Sequence, residues 1–301
     1  MTSHQHGKVF AVFSKAIYLL TDANELLWIV MEDAPMHQRA IQIQAPLPAV
    51  DMGAPFHTEQ QCLNLNSAYI LNSKDAYLWH APTLSRADTL EISALFLRIS
   101  AFFSNLDMSR AKGFGYFIPS ILSLAQNPGT DIYFESTDPV LLYAKNQVLN
   151  VARACLRCTG VGLSELAASL IGLGSGLTPS GDDFLGGLLF VLHVLRQVYA
   201  DSDLFTPDFS TELFSSRTNL ISYTLLQDLA NGHAIAPLHE TIKKLLSRES
   251  LESIYPFISQ LTSVGNSTGW DLLAGLLTGF LILSQSNNQS ISLPIHRMTE
   301  A

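Results

Sequence analysis

The sequence predicts an α+β fold: a β-rich N-terminal part, forming a small antiparallel sheet or barrel, followed by a mostly α-helical C-terminal part. In residues 1–85, short apolar segments alternate with period two and are separated by turn residues. In residues 86–301, apolar residues recur at helical spacing. Two blocks in this second part, Ser180–Leu189 (SGDDFLGGLL) and Thr268–Leu277 (TGWDLLAGLL), share one pattern. We therefore expect a domain boundary near residue 85 and two related helices in the second domain.

The composition limits the classes of function. The chain has 301 residues, of which 48% are hydrophobic and 14% are charged, and this low charged fraction indicates extensive burial or a protein–protein interface. The net charge of −9 and the lack of a Lys/Arg cluster argue against nucleic acid as a partner, but allow a small anionic substrate. We see no targeting segment and no apolar run that could span a bilayer, so we expect a cytoplasmic protein with no membrane partner.

The N-terminal strands are predicted from alternating apolar residues. A hairpin is expected around Asp22–Asn24, between Lys8–Leu20 and Leu26–Met31. A loop rich in proline and glycine runs from Pro46 to Pro55. The other strand-like segments are Ala40–Gln44, Cys62–Leu71, Ala76–Trp79 and, beyond the boundary, Ile132–Glu135.

The helices of the second part follow from spacings of three and four residues between apolar positions. Asn231-Gly232 is a predicted helix C-terminus. The predicted helices are Thr89–Leu106, Gln147–Cys158, Leu163–Leu170, Asp183–Tyr199, Ser216–Ala230, Pro237–Ser247, Ser250–Thr262 and Asp271–Ser284.

The two repeated blocks fit a capping box at a helix start. In each block a hydroxyl residue precedes an aspartate by three positions: Ser180 before Asp183, and Thr268 before Asp271. Such a pair satisfies backbone N–H groups that the first turn leaves unbonded. In this interpretation Asp183 and Asp271 are structural caps.

Two glycines occupy equivalent positions within the blocks, Gly187 and Gly275. Glycine lowers helix propensity by about 1 kcal/mol relative to alanine, so close packing of the two helices is the expected compensation. We therefore predict that the helices lie against each other with their N-terminal tips on the same side.

The segment before the first block is a candidate anion site. Gly172–Pro179 reads GLGSGLTP, and its alternating glycines precede a helix N-terminus, where backbone N–H groups can face an anion. Gly174, Ser175 and Gly176 are the central residues. The segment lacks the Gly-Lys-[Ser/Thr] ending of a P-loop, and a tight turn between helices is the alternative.

Further polar residues surround the two tips. Asp182 is not needed for capping, which suggests a ligand for a divalent metal bound with phosphate, a base, or an acceptor for a substrate N–H; a solvated first-turn acid is the alternative. Arg217 could pair with a carboxylate or phosphate, or lie on the surface. Asn266, Ser267 and Thr268 offer neutral donors and acceptors at the second tip, or form a plain turn.

Cysteines and histidines give little support for a resident metal. Cys155 and Cys158 form a CxxC inside a predicted helix, without a second pair or a preceding strand, which favours ordinary helix-face cysteines over metal or redox chemistry. His193 falls on an apolar helix face and is predicted to be buried and hydrogen-bonded. The spacing of His233 and His239 suits no common metal motif. We expect no cofactor, apart from the divalent metal considered above.

The glycine-rich block GLGSGLTPSGDDFLGG (Gly172–Gly187) closely resembles the signature of the AllH family. VFSKAIYLL, RTNLISYTLL, GHAIAPLHE and VGNSTGWDLLAGLLTG resemble further family segments in the family's order. The resemblance implies a subunit of oxamate carbamoyltransferase in allantoin breakdown, which converts oxalurate and phosphate to oxamate and carbamoyl phosphate together with two other subunits, one of them CoA-ligase-like. The chain departs from the family pattern at Asn266, where relatives often carry histidine, and at Ser175, where proline is common.

Carbamoyl transfer requires a cradle for phosphate, a clamp for a carboxylate and hydrogen bonds to a planar ureido group. We assign the backbone of Gly174–Gly176 to the cradle, with Ser180, Ser267 and Thr268 as further anion-binding residues. Arg217 is the candidate clamp. The candidate catalytic residues are Asp182, Thr178 and Asn266. The alternatives are a non-catalytic anion-binding or structural subunit, and a metal-dependent hydrolase that uses Asp182 and Asp183.

Overall fold

The computed structural model describes residues 5–129, 132–157, 163–200 and 214–284. Over these residues a seven-stranded curled sheet is followed by helices, which confirms the predicted α+β fold class. The chain divides into two compact units. The first comprises residues up to Pro82 together with Ala234–Ala236, and the second comprises the remaining residues from Thr83 onward.

The first unit is built on one sheet with the strand order β4-β3-β2-β1-β5-β6-β7. Alternate residues of β2, β5 and β6 face the core, where Ile17, Leu19, Ile29 and Phe56 are fully buried. β3 and β4 pair in parallel, whereas the other neighbouring strands of the sheet pair antiparallel. The strands are β1 (His6–Val12), β2 (Ala16–Thr21), β3 (Leu26–Met31), β4 (Ala40–Ile43), β5 (Pro55–Glu59), β6 (Cys62–Leu65) and β7 (Tyr69–Asn72).

The predicted hairpin between β2 and β3 is confirmed, but several strand boundaries were wrong. Lys8–Leu20 contains two strands, because the chain reverses after Val12 and the N–H of Phe13 donates to the Ala16 carbonyl over 2.9 Å. Cys62–Leu71 also contains two strands, separated by Asn66 and Ser67, whose φ angles of 49° and 55° turn the chain. Apolar alternation continues through both turns and therefore hides them. The segments Ala76–Trp79 and Ile132–Glu135 form no strand.

The second unit contains nine α-helices within the described residues. They are α1 (Ile92–Ser104), α2 (Ile118–Gln126), α3 (Pro139–Arg157), α4 (Leu163–Ala168), α5 (Ser180–Val198), α6 (Leu220–Ala230), α7 (Ala236–Leu246), α8 (Tyr255–Thr262) and α9 (Thr268–Phe280). Helix α2 was not predicted, and neither was the 3-10 segment Gly113–Phe117 before it. The predicted C-terminus is confirmed, since Asn231 caps α6 and Gly232 has a φ of 81°.

Helices α5 and α9 pack directly against each other in the core of the second unit. A Cβ atom on Gly187 would lie 2.1 Å from the carbonyl oxygen of Leu272, and one on Gly275 would lie 1.8 Å from that of Phe184. Real side chains do not approach a backbone oxygen this closely, so both positions require glycine. The predicted close packing of the two motif helices is confirmed.

Two other expectations concern single features of the chain. None of the described helices combines the length and the apolar character that a membrane span requires.

Cys155 lies buried on α3, whereas Cys158 lies outside the described residues, so the CxxC interpretation stays a prediction.

Candidate functional site

The N-terminal tips of α5 and α9 meet in space. The hydroxyl oxygens of Thr178 and Thr268 are 3.1 Å apart, and those of Ser180 and Ser267 are 3.3 Å apart. Each pair joins residues that are 90 or 87 positions apart in the sequence. All four residues are partly exposed, so they form a hydroxyl layer at the surface of the paired tips. The prediction that the tips lie on the same side is confirmed.

The glycine-rich loop folds onto the start of α5. Gly172, Gly174 and Gly176 have φ angles of 75°, 121° and 106°, which L side chains rarely adopt. A Cβ on Gly174 would lie 2.7 Å from the backbone nitrogen of Ser180, whereas one on Gly176 would meet nothing within 4 Å. The loop therefore passes close to the first turn of α5 at Gly174 and opens outward at Gly176. Ser175, between them, is exposed.

Asp182 is buried, with 2% of its surface exposed, so its interpretation as a solvated first-turn acid is wrong. The N–H of Gly172 donates to its Oδ1 over 2.6 Å. The hydroxyls of Thr218 and Ser222 donate to its Oδ2, the latter over 2.6 Å. These contacts fasten the glycine-rich loop and the start of α6 to the first turn of α5, so the carboxylate positions the loop.

Arg217 lies beside the loop rather than over the hydroxyl layer. Its side chain is exposed, and its Nη1 donates to the carbonyl oxygen of Ala168, at the end of α4, over 2.8 Å. Its own carbonyl oxygen would lie 2.4 Å from a Cβ on Gly172. The described contacts of Arg217 therefore join α4 to the glycine-rich loop.

A segment that the sequence did not single out completes the second tip. The Nζ of Lys112 donates to Oδ1 of Asn266 over 3.2 Å, and the N–H of Phe114 donates to Oδ1 of Asp271 over 2.5 Å. Gly113 allows this approach, because a Cβ there would lie 2.3 Å from Oδ1 of Asp271. In the sequence, Lys112-Gly113 is one short pair without periodicity or repetition, so only the fold reveals its place.

The aspartates predicted as caps make other contacts. Asp183 and Asp271 are 6% and 0% exposed. The hydroxyl of Thr178 donates to Oδ2 of Asp183 over 2.9 Å, and Asp271 accepts from Phe114 of another segment. The helices begin at Ser180 and Thr268, earlier than predicted, and neither N-cap residue makes a side-chain capping bond. The predicted capping boxes are therefore not the contacts that these carboxyl groups make.

The two carboxyl groups perturb each other. Burial raises the pKa of Asp183 well above its ordinary value, and the neighbouring Asp271 raises it further, while the hydroxyls of Thr268 and Thr178 oppose the shift. Burial raises the pKa of Asp271 to about 7, against the N–H of Phe114 and the nearby hydroxyls of Ser267 and Ser180. Two like charges buried together disfavour each other, so the pair retains a proton near neutral pH.

One oxygen of this pair is left without a normal hydrogen bond. Oδ2 of Asp271 is buried and has no partner of ordinary geometry among the residues that the structure describes. The Ser267 and Ser180 hydroxyls influence its titration without reaching that geometry. A buried polar atom without a hydrogen-bond partner lowers the stability of the folded state by about 1–3 kcal/mol. The unpartnered Oδ2 of Asp271 therefore requires an explanation.

No group of three or more His, Cys, Asp and Glu side chains is arranged to hold a metal within residues 5–129, 132–157, 163–200 and 214–284. His193 is half-buried on α5, burial lowers its pKa, and it bonds to the backbone of Ala230. His239 is buried on α7 and packs edge-on against Phe190. The hydrogen bonding predicted for His193 is confirmed, but its burial is only partial.

Comparison with known proteins identifies the region that carries this geometry. Residues 170–280 match the family model described as oxamate carbamoyltransferase subunit AllH. The match confirms the AllH resemblance over the glycine-rich loop and both motif helices; the VFSKAIYLL segment lies outside it. No solved structure matches the chain.

Proposed function

We propose that this chain is the AllH-type subunit of a carbamoyltransferase and that the paired tips of α5 and α9 bind its small anionic substrates. One observation carries the proposal: the AllH match contains both tips, and the fold brings Thr178 and Thr268 within 3.1 Å of each other. Polar residues from two helix tips that meet within one family region are the arrangement expected of a shared binding site.

The proposed reaction exchanges oxalurate and phosphate for oxamate and carbamoyl phosphate. A phosphate oxygen attacks the carbamoyl carbon of oxalurate, and the bond from that carbon to the central nitrogen breaks. The hydrogen that hydrogen phosphate carries ends on the nitrogen that becomes the amide of oxamate. The site must therefore hold two anions close together and orient a planar ureido group.

The glycine-rich loop supports binding of the phosphate. Gly174 lies against the backbone nitrogen of Ser180 at the N-terminus of α5, where unbonded N–H groups and the helix dipole favour negative charge. Gly176 faces open space, which leaves room for a ligand beside the loop. Asp182 holds the glycine-rich loop in place by accepting a hydrogen bond from the N–H of Gly172. We propose this positioning role for Asp182 instead of the catalytic role that the sequence suggests.

The second tip supports binding of the organic anion. Lys112 supplies a positive charge next to Asn266, and we propose this lysine, rather than Arg217, as the carboxylate clamp. Arg217 is less suited because its Nη1 is bound to the Ala168 carbonyl. The side chain of Asn266 and the hydroxyls of Ser267 and Thr268 can donate to, or accept from, the ureido group.

The chain is proposed to act with other subunits. The AllH description names a subunit, and the family resemblance implies two further subunits, one of them CoA-ligase-like. We expect the isolated chain to show little carbamoyl transfer. The low charged fraction of 14% agrees with a surface that is partly covered in an assembly.

The test is an assay of the complex that co-purifies with this chain from its native host. Oxalurate and phosphate are supplied, and carbamoyl phosphate is measured. We expect Thr268→Val to lower turnover by at least tenfold, whereas Thr224→Val should not, because the Thr224 hydroxyl bonds only to Leu220 of its own helix in the described contacts. Full activity from the isolated chain would refute the need for partners. Substrate binding without turnover would support the non-catalytic anion-binding alternative.

A further inference from the structure

We propose that Asp183 and Asp271 form a proton-holding pair that sets the hydrogen-bonding polarity of the hydroxyl layer, so that an anion binds the tips together with one proton. The location of the anion rests on the proposed function. The coupling of anion binding to proton uptake goes beyond that function. It follows from the position of the carboxyl pair directly beneath the hydroxyl layer.

The paired tips have an inner and an outer polar layer. The inner layer is the buried pair Asp183 and Asp271. The outer layer is the partly exposed hydroxyls, among which Thr178 lies 2.9 Å from Oδ2 of Asp183 and 3.1 Å from the Thr268 hydroxyl. An anion at the surface of the tips would therefore meet hydroxyls whose other neighbours are carboxyl groups.

The protonation of the inner layer decides what the outer layer can offer. A hydroxyl has one hydrogen to donate, and an ionised carboxylate can only accept. When Asp183 is ionised, Thr178 must donate inward, and it presents only lone pairs to a ligand. When the pair holds an additional proton, the carboxyl group can donate to the hydroxyl layer. The hydroxyls are then able to donate outward to an anion.

The unsatisfied oxygen of Asp271 is the second observation. Its Oδ1 accepts from the N–H of Phe114, but its buried Oδ2 has no partner of normal geometry among the described residues. The hydroxyls of Ser267 and Ser180, which lower the pKa of Asp271, belong to the hydroxyl layer at the surface of the tips. A proton on Oδ2 would turn this oxygen into a donor toward that layer, which explains why the fold leaves it without a donor of its own.

The charges around the pair agree with proton uptake on anion binding. From α5, Asp182 adds a further negative charge close to Asp183. From the segment before the 3-10 turn, Lys112 contacts Asn266 at the second tip. From the start of α6, Arg217 bonds to Ala168, and Asp228 lies near the far end of the same helix.

The remaining helices packed against α9, which are α1, α2, α3 and α8, have no charged residue among the buried residues that the structure describes. An anion added to this environment makes the ionised state of the carboxyl pair still less favourable, so a proton enters with the anion.

Oxamate is the probe for the test, because its carboxylate does not titrate between pH 6 and pH 8. Binding of oxamate to the full-length chain is measured by calorimetry at pH 7.5 in buffers of different ionisation enthalpy. We expect close to one proton taken up per oxamate bound, and Kd rising about tenfold per pH unit above pH 7.5. Asp271→Asn should bind oxamate with little proton uptake and little pH dependence, while the exposed-site control Asp107→Asn should match the unchanged chain.

The outcomes separate the coupling from the proposed function. Oxamate binding to the unchanged chain without proton uptake would overturn the coupling and leave the site in place. No oxamate binding at any pH between 6 and 8 would overturn both. The uptake in the unchanged chain is decisive on its own if Asp271→Asn does not fold, and Asp183→Asn then provides the second variant.

Discussion

Gly187 and Gly275 occupy reciprocal positions in the contact between α5 and α9. Each glycine lies against the backbone carbonyl of the other helix: Gly187 against Leu272, and Gly275 against Phe184. Each contact joins the eighth residue of one repeated block to the fifth residue of the other, so the repeat in the sequence appears in the fold as a two-fold-like helix pair. The same contact holds the two tips together. The geometry of the candidate site therefore depends on Gly187 and Gly275, which lie more than one turn after the start of their helices.

The first prediction concerns this contact. Gly187→Ala and Gly275→Ala should each lower the free energy of unfolding by roughly 1–3 kcal/mol or more, because the added Cβ must push two helix backbones apart. The usual gain of about 1 kcal/mol from replacing a helical glycine by alanine would be outweighed. Urea denaturation measures the change. Gly129→Ala is the control, since a Cβ there meets nothing within 4 Å, and its stability should be nearly unchanged. Equal stability of all three variants would show that the helices are not in this contact.

The second prediction concerns pH. Burial raises the pKa of Asp271 from 3.8 to about 7, so between these values the folded state holds a proton that the unfolded state has lost. The contribution of Asp271 to stability therefore falls as pH rises from about 4 to 7 and stays low above that range. Asp271→Asn should remove this fall and raise stability at pH 8 relative to pH 4 by an amount on the order of a few kcal/mol. Denaturation of both proteins across that range measures it, and parallel curves would contradict the pKa shift.

The third prediction separates Asp182 from Asp183. Asp182→Asn should lower the free energy of unfolding by about 1–3 kcal/mol, because an amide NH₂ would face the Thr218 and Ser222 hydroxyls or the Gly172 N–H, all donors at present. Asp183→Asn should cost less at pH 7.5, since it replaces a carboxyl group whose pKa is raised. Denaturation at that pH decides the order. The reverse order would return Asp183 to the capping role that the sequence first suggested.

The fourth prediction concerns a contact between α1 and α7. The guanidinium of Arg98 donates to the carbonyl oxygens of Lys244, Leu245 and Glu249, at and beyond the C-terminus of α7, where helix carbonyls lack partners. Arg98→Lys keeps the charge but cannot reach all three oxygens, so we expect a loss of about 1 kcal/mol or more. Thermal unfolding measures it. A Lys variant as stable as the unchanged chain would show that charge alone suffices.

The sequence predicted the class of fold and the meeting of the tips, because both depend on local patterns: alternation, helical spacing and a repeated block. It did not predict the chemistry inside the tips. A capping box and a buried carboxyl group have the same sequence signature, so the sequence indicates caps at Asp183 and Asp271, and a metal ligand, base or acceptor at Asp182. Their roles depend on which distant donors arrive, and Gly172, Phe114 and Ser222 reach them only through the tertiary fold. Lys112 was missed for the same reason.

The most direct test of the shared site is a double-mutant cycle on oxalurate affinity, with Thr178→Val, Thr268→Val and the double variant, and with Thr224→Val as the control. If one ligand bridges both tips, each single variant should weaken binding about tenfold, and the double variant should weaken it by clearly less than the product of the two effects, because the hydroxyls interact directly. If either single variant binds oxalurate as tightly as the control, the two tips do not form one site.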